Sequence, residues 1–360
     1  MLDRFKVPEE DRVYVQRDQI RVATEAIFQK VGMSPTDAEQ SADVLVTNDM
    51  RGVETHGVSN MLRRYVADFM SGAQNAKAEP KVLRESKTMV HIDAHGALGI
   101  TVGPTAMKRA IEKAREVGIG VATVINAGHL GGAGYHATLA ANEGMLGHCM
   151  AGPGGNQMVP TFGAEPRLGT CPIAWAAPSG KEHPFLFDIA STQIAANKIA
   201  LAKRTGAKLQ PGWITGMDGE PILEPTDAPG PGDYYMLPFG GTRENGSHKG
   251  YGLGAMVDIW CNSLTGVGAG FITGGGGQWF AAYDIESWIG LDEFKSHVDD
   301  FLSGLKNTPP AKGHERVLYP GLSEGEETEK RTKEGIPYHR EVIDWYKSIG
   351  SELAISLDLP

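Results

Sequence analysis

The segment at residues 128–144, GHLGGAGYHATLAANEG, follows the apolar run GVATVIN and constrains the fold more than any other part of the chain. An apolar run, a glycine-rich turn and a helical pattern in that order predict a strand, a tight turn and a helix. Within the turn, Gly132-x-Gly134-x-x-Ala137 matches the dinucleotide-binding pattern in the form that ends in alanine. The turn also begins with His129, so it either holds a phosphate or presents that histidine.

A second requirement decides between these two interpretations. A dinucleotide site of the usual kind has an acidic residue about 20 residues beyond its glycines, where it binds a ribose hydroxyl. After Glu143 the next acidic residue is Glu165, which follows a glycine-rich loop rather than a strand. The chain also contains 47 glycines, so a lone glycine pattern is weak evidence. We therefore favour a turn that presents His129 over an orthodox Rossmann phosphate site.

Composition and charge exclude several classes of function. The formal net charge is −10 and no dense run of Lys or Arg is present, so nucleic acid and anionic membranes are not expected as partners. The sequence has no apolar stretch of about 20 residues and no secretory signal pattern, so we expect no membrane span. The 3 cysteines are far apart in sequence, form no C-x-x-C pair and predict neither a metal site nor a disulfide framework. We expect a cytoplasmic protein.

The pattern along the 360 residues predicts two parts. Residues 1–80 have the spacing of helices, and Ser34 followed by Pro35 predicts the start of the second one. Residues 81–324 alternate short β-rich pieces with helices, which predicts a doubly wound parallel sheet or a mixed α+β layer. Residues 325–360 return to a helical pattern, and we expect them to pack with the N-terminal helical part.

Further segments carry residue types suited to chemistry. RGVETHGVSN places His56 on a turn between two helices, close to Arg51 and Thr55. An imidazole can transfer a proton near neutral pH, and a guanidinium can bind a carboxylate. Asp188 follows a strand in FDIASTQIAANK, where it would cap a helix or orient a histidine. Lys249 in GSHKGYGL begins an apolar helix, where an anion would relieve its unfavourable charge. The simpler alternatives are an exposed polar turn at His56 and a solvated side chain at Lys249.

Seven segments, taken in order, resemble the malate/L-lactate dehydrogenase family of type 2, which also includes ureidoglycolate, sulfolactate and keto-imino-acid reductases. They are RGVETHGVSNMLRRY, NAGHLGGAGYHATLAANEGMLG, FGAEPRLGTCPIAWAAP, FDIASTQIAANKI, PGWITGMDGEPI, HKGYGL and VLYPG. The resemblance implies an α/β (α+β) fold that is not a Rossmann fold, with a largely antiparallel or mixed central sheet and helical N- and C-terminal parts. It implies a homodimer that acts on a small 2-hydroxy or 2-keto acid. The nicotinamide cofactor would lie on the central domain, with NAD favoured over NADP because no Arg/Lys cluster for a 2′-phosphate is visible.

The resemblance also assigns roles to residues. His56 matches the histidine beside the substrate, Asp188 matches the aspartate that pairs with it, and His129 is a second candidate for proton transfer. The residues expected to bind the substrate are Arg51, Thr55, Asn60 and Arg64. The residues expected to bind the cofactor are Pro153, Asp188, Ile189, Ala190, Ser191, Pro238, Phe239, Lys249, Pro320 and Gly321.

Among the departures from the family pattern, two bear directly on the substrate and the nicotinamide. Asn60 stands where many members have an arginine that binds the substrate carboxylate, so Arg51, Arg63 or Arg64 would replace it, or the substrate differs. Residues 151–153 are Ala-Gly-Pro where the family has Thr-Asn-Ser near the nicotinamide. These departures leave two alternatives open. One is a reductase of a cyclic imino acid or a ureidoglycolate-type substrate, and the other is a non-catalytic homologue that binds a metabolite.

Overall fold

The computed structural model describes residues 6–152 and 155–360. Its N-terminal part contains one strand and three helices. They are β1 (Arg12–Val15), α1 (Arg17–Lys30), α2 (Pro35–Met50) and α3 (Val58–Ser71). The predicted start of α2 is confirmed, because the Ser34 hydroxyl accepts a hydrogen bond from the Asp37 amide at 3.1 Å. A 3-10 turn, Glu54–His56, connects α2 to α3 and carries His56.

A seven-stranded mixed sheet forms the centre of the protein, in the order β2-β3-β4-β10-β5-β6-β7. The strands after β1 are β2 (Lys81–Glu85), β3 (Met89–Asp93), β4 (Ile119–Ile125), β5 (Met145–Ala151), β6 (Ile173–Ala177), β7 (Phe185–Ile189), β8 (Ile214–Thr215), β9 (Tyr235–Met236) and β10 (Gln278–Asp284). Strands β3 and β4 are parallel, and every other neighbouring pair in this sheet is antiparallel. The mixed central sheet that we predicted is therefore confirmed.

Helices cover both faces of this sheet. The helices that follow α3 in the chain are α4 (Gly99–Val117), α5 (Ala133–Asn142), α6 (Ala196–Thr205), α7 (Ser247–Asp258), α8 (Gly270–Thr273), α9 (Leu291–Lys306), α10 (Leu322–Glu334) and α11 (Arg340–Glu352). Buried residues of α4 and α5 share a core with one face of the sheet, including Ala122 and Phe280. The other face contributes Met150 and Trp279 to a core with Val257 of α7.

The two ends of the chain meet in one core. Strand β11 (Ile336–His339) pairs antiparallel with β1. Tyr338 and Tyr346 lie in the same buried cluster as Phe28 and Tyr65 from the N-terminal helices. The predicted boundary after residue 324 falls inside α10, and the division into two domains stays a prediction. Among the described residues, no helix has the length and apolar character needed to cross a membrane.

Candidate active site

The structure brings together the two histidines that the sequence singled out. His56 lies on the 3-10 turn before α3, and His129 lies in the turn between β4 and α5. The ring centroids are 5.8 Å apart and the ring planes differ by 11°. Both residues are partly exposed.

Hydrogen bonds fix the tautomer of His129. The Gly131 amide donates to Nδ1 of His129 at 3.3 Å, and the Tyr65 hydroxyl lies 2.6 Å from the same nitrogen. An amide N–H can only donate, so Nδ1 carries a lone pair and the proton of the neutral ring is on Nε2. The Tyr65 hydroxyl is therefore the donor in the second bond. Tyr65 was not predicted as a site residue, because its place in an apolar helical pattern indicated only a core residue.

Desolvation keeps His129 neutral near pH 7. The pKa of His129 is lowered to about 3, mainly because the surrounding protein desolvates the ring, with smaller contributions from His56 and Arg64. With its proton on Nε2, neutral His129 is a hydrogen-bond donor rather than a proton acceptor at that atom.

His56 is also held in its neutral form. The surrounding protein lowers its pKa to about 4, and the ammonium group of Lys198 adds to the shift. The Thr55 hydroxyl lies 3.0 Å from Nδ1 of His56. Asn197 fastens α6 to this turn, because its side-chain amide donates to the Thr55 carbonyl at 2.6 Å. Lys198 is the residue that the sequence reasoning missed here, although it ends the quoted segment FDIASTQIAANK.

Asp188 has a different partner from the one predicted. Its carboxylate accepts a hydrogen bond from the Gly134 amide at 2.6 Å, at the N-terminus of α5. A Cβ at Gly134 would lie 2.8 Å from that oxygen, so the glycine gives the carboxylate room. Within residues 6–152 and 155–360, no hydrogen bond or ion pair joins Asp188 to His56 or His129. A helix N-terminus attracts an anion, and here the chain supplies its own.

Arg51 is a cation close to Asp188. Protein around the guanidinium lowers its pKa, while the nearby carboxylates of Asp188 and Glu324 oppose that shift. Its side chain forms no hydrogen bond or ion pair with any residue that the structure describes. Lys198 likewise has an ammonium group without such a contact, and desolvation lowers its pKa. Both groups are suited to bind an anion.

The other substrate-binding candidates are placed differently. The Asn60 side-chain amide donates to the Glu54 carbonyl at 2.6 Å, so it fastens the 3-10 turn. Arg63 lies over the Trp345 ring at 5.4 Å and therefore faces α11. Arg64 lies 3.8 Å from Asp68 and close enough to His129 to influence its pKa.

Most of the predicted cofactor residues form one continuous strip. The Phe239 amide donates to the Ser191 carbonyl at 2.8 Å, and Thr192 bridges to Pro238. Lys249 is exposed on the first turn of α7, beside Gly250, where a Cβ would lie 2.3 Å from the Phe239 nitrogen. The strip begins at the end of β7. Asp188 and Ile189 are the last two residues of that strand, and Ala190 and Ser191 follow it.

The side chain of Ser191 and the backbone of Pro320 contact other parts of the protein. The Ser191 hydroxyl is buried and donates to the Thr170 carbonyl at 3.0 Å, so this side chain faces the protein interior. The Pro320 carbonyl accepts from the Leu186 amide at 3.0 Å, which places Pro320 and Gly321 beside β7. Pro153 lies outside the described residues.

Comparison with known proteins gives the family. The malate/L-lactate dehydrogenase family matches residues 15–346. The malate dehydrogenase of Pyrococcus abyssi is 35% identical over 96% of this chain and 98% of that protein. The L-sulfolactate dehydrogenase of Methanocaldococcus jannaschii is 34% identical over 92% of this chain and 95% of its own length. The crystal structure of malate dehydrogenase from Entamoeba histolytica superposes with a TM-score of 0.90 at 32% identity and covers 97% of this chain and 100% of that one. The chain therefore belongs to the malate/L-lactate dehydrogenase family, as its seven segments predicted.

Proposed function

We propose that the protein is an NAD(P)-dependent dehydrogenase that interconverts a small 2-hydroxy acid and its 2-keto acid. The observation that carries this proposal is the pair of neutral, nearly parallel imidazoles with ring centroids 5.8 Å apart, together with the cations Arg51 and Lys198, whose side chains pair with none of the described residues. When bound, the nicotinamide supplies the group that accepts or returns the hydride at substrate C2.

The two histidines have different tasks in this proposal. In the oxidation direction, neutral His56 accepts the proton of the C2 hydroxyl while the hydride leaves C2. His129 donates a hydrogen bond from Nε2 to the same oxygen and stabilises the charge that develops there. The fixed tautomer of His129 supports this division, because its Nε2 already carries a proton.

The cations point to the substrate class. Burial of a carboxylate without a positive partner costs free energy. The guanidinium of Arg51 and the ammonium of Lys198 could each bind such a carboxylate. Two such groups suit a 2-hydroxy acid with two anionic groups better than one with a single carboxylate. The printed names of the similar proteins, malate and sulfolactate dehydrogenases, agree with this choice.

The cofactor fits the strip better than the glycine turn. The N-terminus of α5 already holds the Asp188 carboxylate, so a phosphate there would meet a negative charge. On the strip, the half-exposed Phe239 ring offers a flat apolar surface, and Lys249 makes no ion pair with a described residue. Phe239 would pack against a ring of the cofactor and Lys249 would hold a phosphate, without a Rossmann fold. We favour NAD over NADP, since no Arg/Lys cluster accompanies the strip among the side chains that the structure describes.

The assembly and location are part of the proposal. Five large apolar residues in one stretch are each at least 42% exposed: Ile259, Trp260, Leu264, Phe271 and Ile272. Such a surface favours a protein contact, and a homodimer would cover it. Light scattering should give the mass of a dimer, and Leu264→Glu should give the monomer. The 3 cysteines are buried free thiols, which favours the cytoplasm.

The experiment that tests the proposed function is NADH oxidation at 340 nm with oxaloacetate, 3-sulfopyruvate, pyruvate and a cyclic imino acid. We expect turnover of the first two, and a fall of about 100-fold in His56→Ala with unchanged NADH binding by fluorescence. Turnover of the imino acid alone would favour the alternative reductase. NADH binding without turnover of any compound would favour a non-catalytic homologue.

A further inference from the structure

A buried carboxyl group lies directly beneath the turn that carries His56. Asp49, in the last turn of α2, is fully buried. Its Oδ2 accepts hydrogen bonds from the Val58 amide at 2.9 Å and from the Tyr338 hydroxyl at 2.8 Å. Val58 begins α3 and Tyr338 belongs to β11. One oxygen therefore joins the end of α2, the start of α3 and the C-terminal strand.

The backbone beside His56 touches this carboxyl group. A Cβ at Gly57 would lie 1.7 Å from Oδ1 of Asp49 and 2.2 Å from its Cγ. Gly57 has φ −94° and ψ −171°, an extended conformation open to any residue. The glycine is therefore required for space, because the turn lies against the carboxyl group with no room for a side chain.

The C-terminal part also holds the other end of the turn. Arg331 is buried and donates to the Asp49 carbonyl at 2.7 Å and to the Glu54 carboxylate at 2.7 Å. A third bond at 2.7 Å joins Arg331 to Glu327 within α10. Glu54 is the first residue of the 3-10 turn. Residues from α10 and β11 thus contact the polypeptide on both sides of His56.

We propose that Asp49 and Tyr338 are positioning residues that set the orientation of His56 toward His129. One oxygen of Asp49 receives both hydrogen bonds, which link the start of α3 and the C-terminal strand to the end of α2. Loss of the Tyr338 hydroxyl frees the turn from the C-terminal strand while its ring stays in the core. The proposed function enters only through the step that His56 performs.

Tyr338→Phe is the main test, and Tyr346→Phe is its matched control. Both tyrosines are fully buried in the same core, but the Tyr346 hydroxyl lies 2.6 Å from Thr24 rather than at Asp49. We expect Tyr338→Phe to lower kcat about tenfold, with KM and NADH binding unchanged. Tyr346→Phe should lose comparable thermal stability and keep kcat within about twofold.

Two further measurements keep the test decisive. Asp49→Asn retains an oxygen acceptor and should keep most of the kcat that Asp49→Ala loses. The rate at which diethyl pyrocarbonate modifies His56, followed by mass spectrometry, should change in Tyr338→Phe and not in Tyr346→Phe. This second readout needs no substrate, so it stands even where wild-type protein turns over no hydroxy acid and the proposed function has failed. Equal kcat and equal modification rates in the two tyrosine variants would overturn the positioning role.

Discussion

Replacement of Tyr65 by phenylalanine tests how the tautomer of His129 is maintained. The change removes one hydroxyl from a fully buried residue and leaves the aromatic ring in the core. Nδ1 of His129 loses its 2.6 Å partner and keeps only the Gly131 amide at 3.3 Å. The alternative tautomer, with the proton on Nδ1, then competes with the form that donates from Nε2.

The magnitude follows from the bond that is lost. Leaving a buried acceptor poorly satisfied costs about 1–3 kcal/mol. If that cost falls on the arrangement needed in the transition state, kcat decreases roughly 5- to 150-fold. NADH binding should stay unchanged, because the hydroxyl and ring of Tyr65 contact His129. Among the described residues, neither makes a hydrogen bond or ring contact with the strip of residues 188–191, 238–239 and 249.

The assay is steady-state NADH oxidation with oxaloacetate, combined with nitrogen-15 NMR of the His129 ring. Tyr135→Phe is the control, since its hydroxyl donates to Asp43 at 2.8 Å, on a contact that does not involve either histidine. A wild-type kcat in Tyr65→Phe, together with an unchanged proton on Nε2, would refute the reasoning that Tyr65 fixes this tautomer.

The remaining predictions concern pH and charge. Because the pKa of His56 is lowered to about 4, kcat/KM for oxidation should stay level from about pH 8 down to about pH 5, whereas a break at pH 6–7 would contradict a neutral His56. Lys198→Met should raise the pKa of His56, seen as an acid limb at higher pH, and should raise KM for oxaloacetate more than for pyruvate. The pKa of Asp49 rises from 3.8 to about 7 on folding, so the unfolding free energy should fall by up to about 4 kcal/mol between pH 4 and pH 8. Asp49→Asn should remove that loss in urea titrations, and an unchanged pH dependence would exclude Asp49 as its source.

The sequence predicted the parts of the site that depend on local pattern. The order of strand, glycine turn and helix located His129, and the turn between two helices located His56. The missing acidic residue after Glu143 argued against a phosphate site at the glycine turn, and the Asp188 carboxylate at the N-terminus of α5 agrees with that argument. These features follow from short segments whose turns and caps have strong residue preferences.

Features that depend on distant contacts were not predicted. Asp188 was expected to cap the helix that follows it or to orient a histidine. Instead it accepts a hydrogen bond from Gly134 of α5, and strands β5 and β6 lie between α5 and β7 in the chain. Lys198 in the first turn of α6 resembles any solvated lysine until α6 is seen against the His56 turn. In the sequence, Asn60 stands where many family members have an arginine. Only the fold shows that its side-chain amide donates a hydrogen bond to the Glu54 carbonyl. Each of these depends on which surfaces meet, and residue spacing does not encode that directly.

Transfer of deuterium from NADH to the substrate tests the central claim most directly. The protein is incubated with oxaloacetate and NADH that carries deuterium at both C4 positions, and the product is analysed by mass spectrometry and NMR. We predict a 2-hydroxy acid with one deuterium at C2, formed by the wild type and about 100-fold more slowly by His56→Ala. A reduced product without deuterium at C2, or equal rates in the two proteins, would contradict hydride transfer at a site built on His56 and His129.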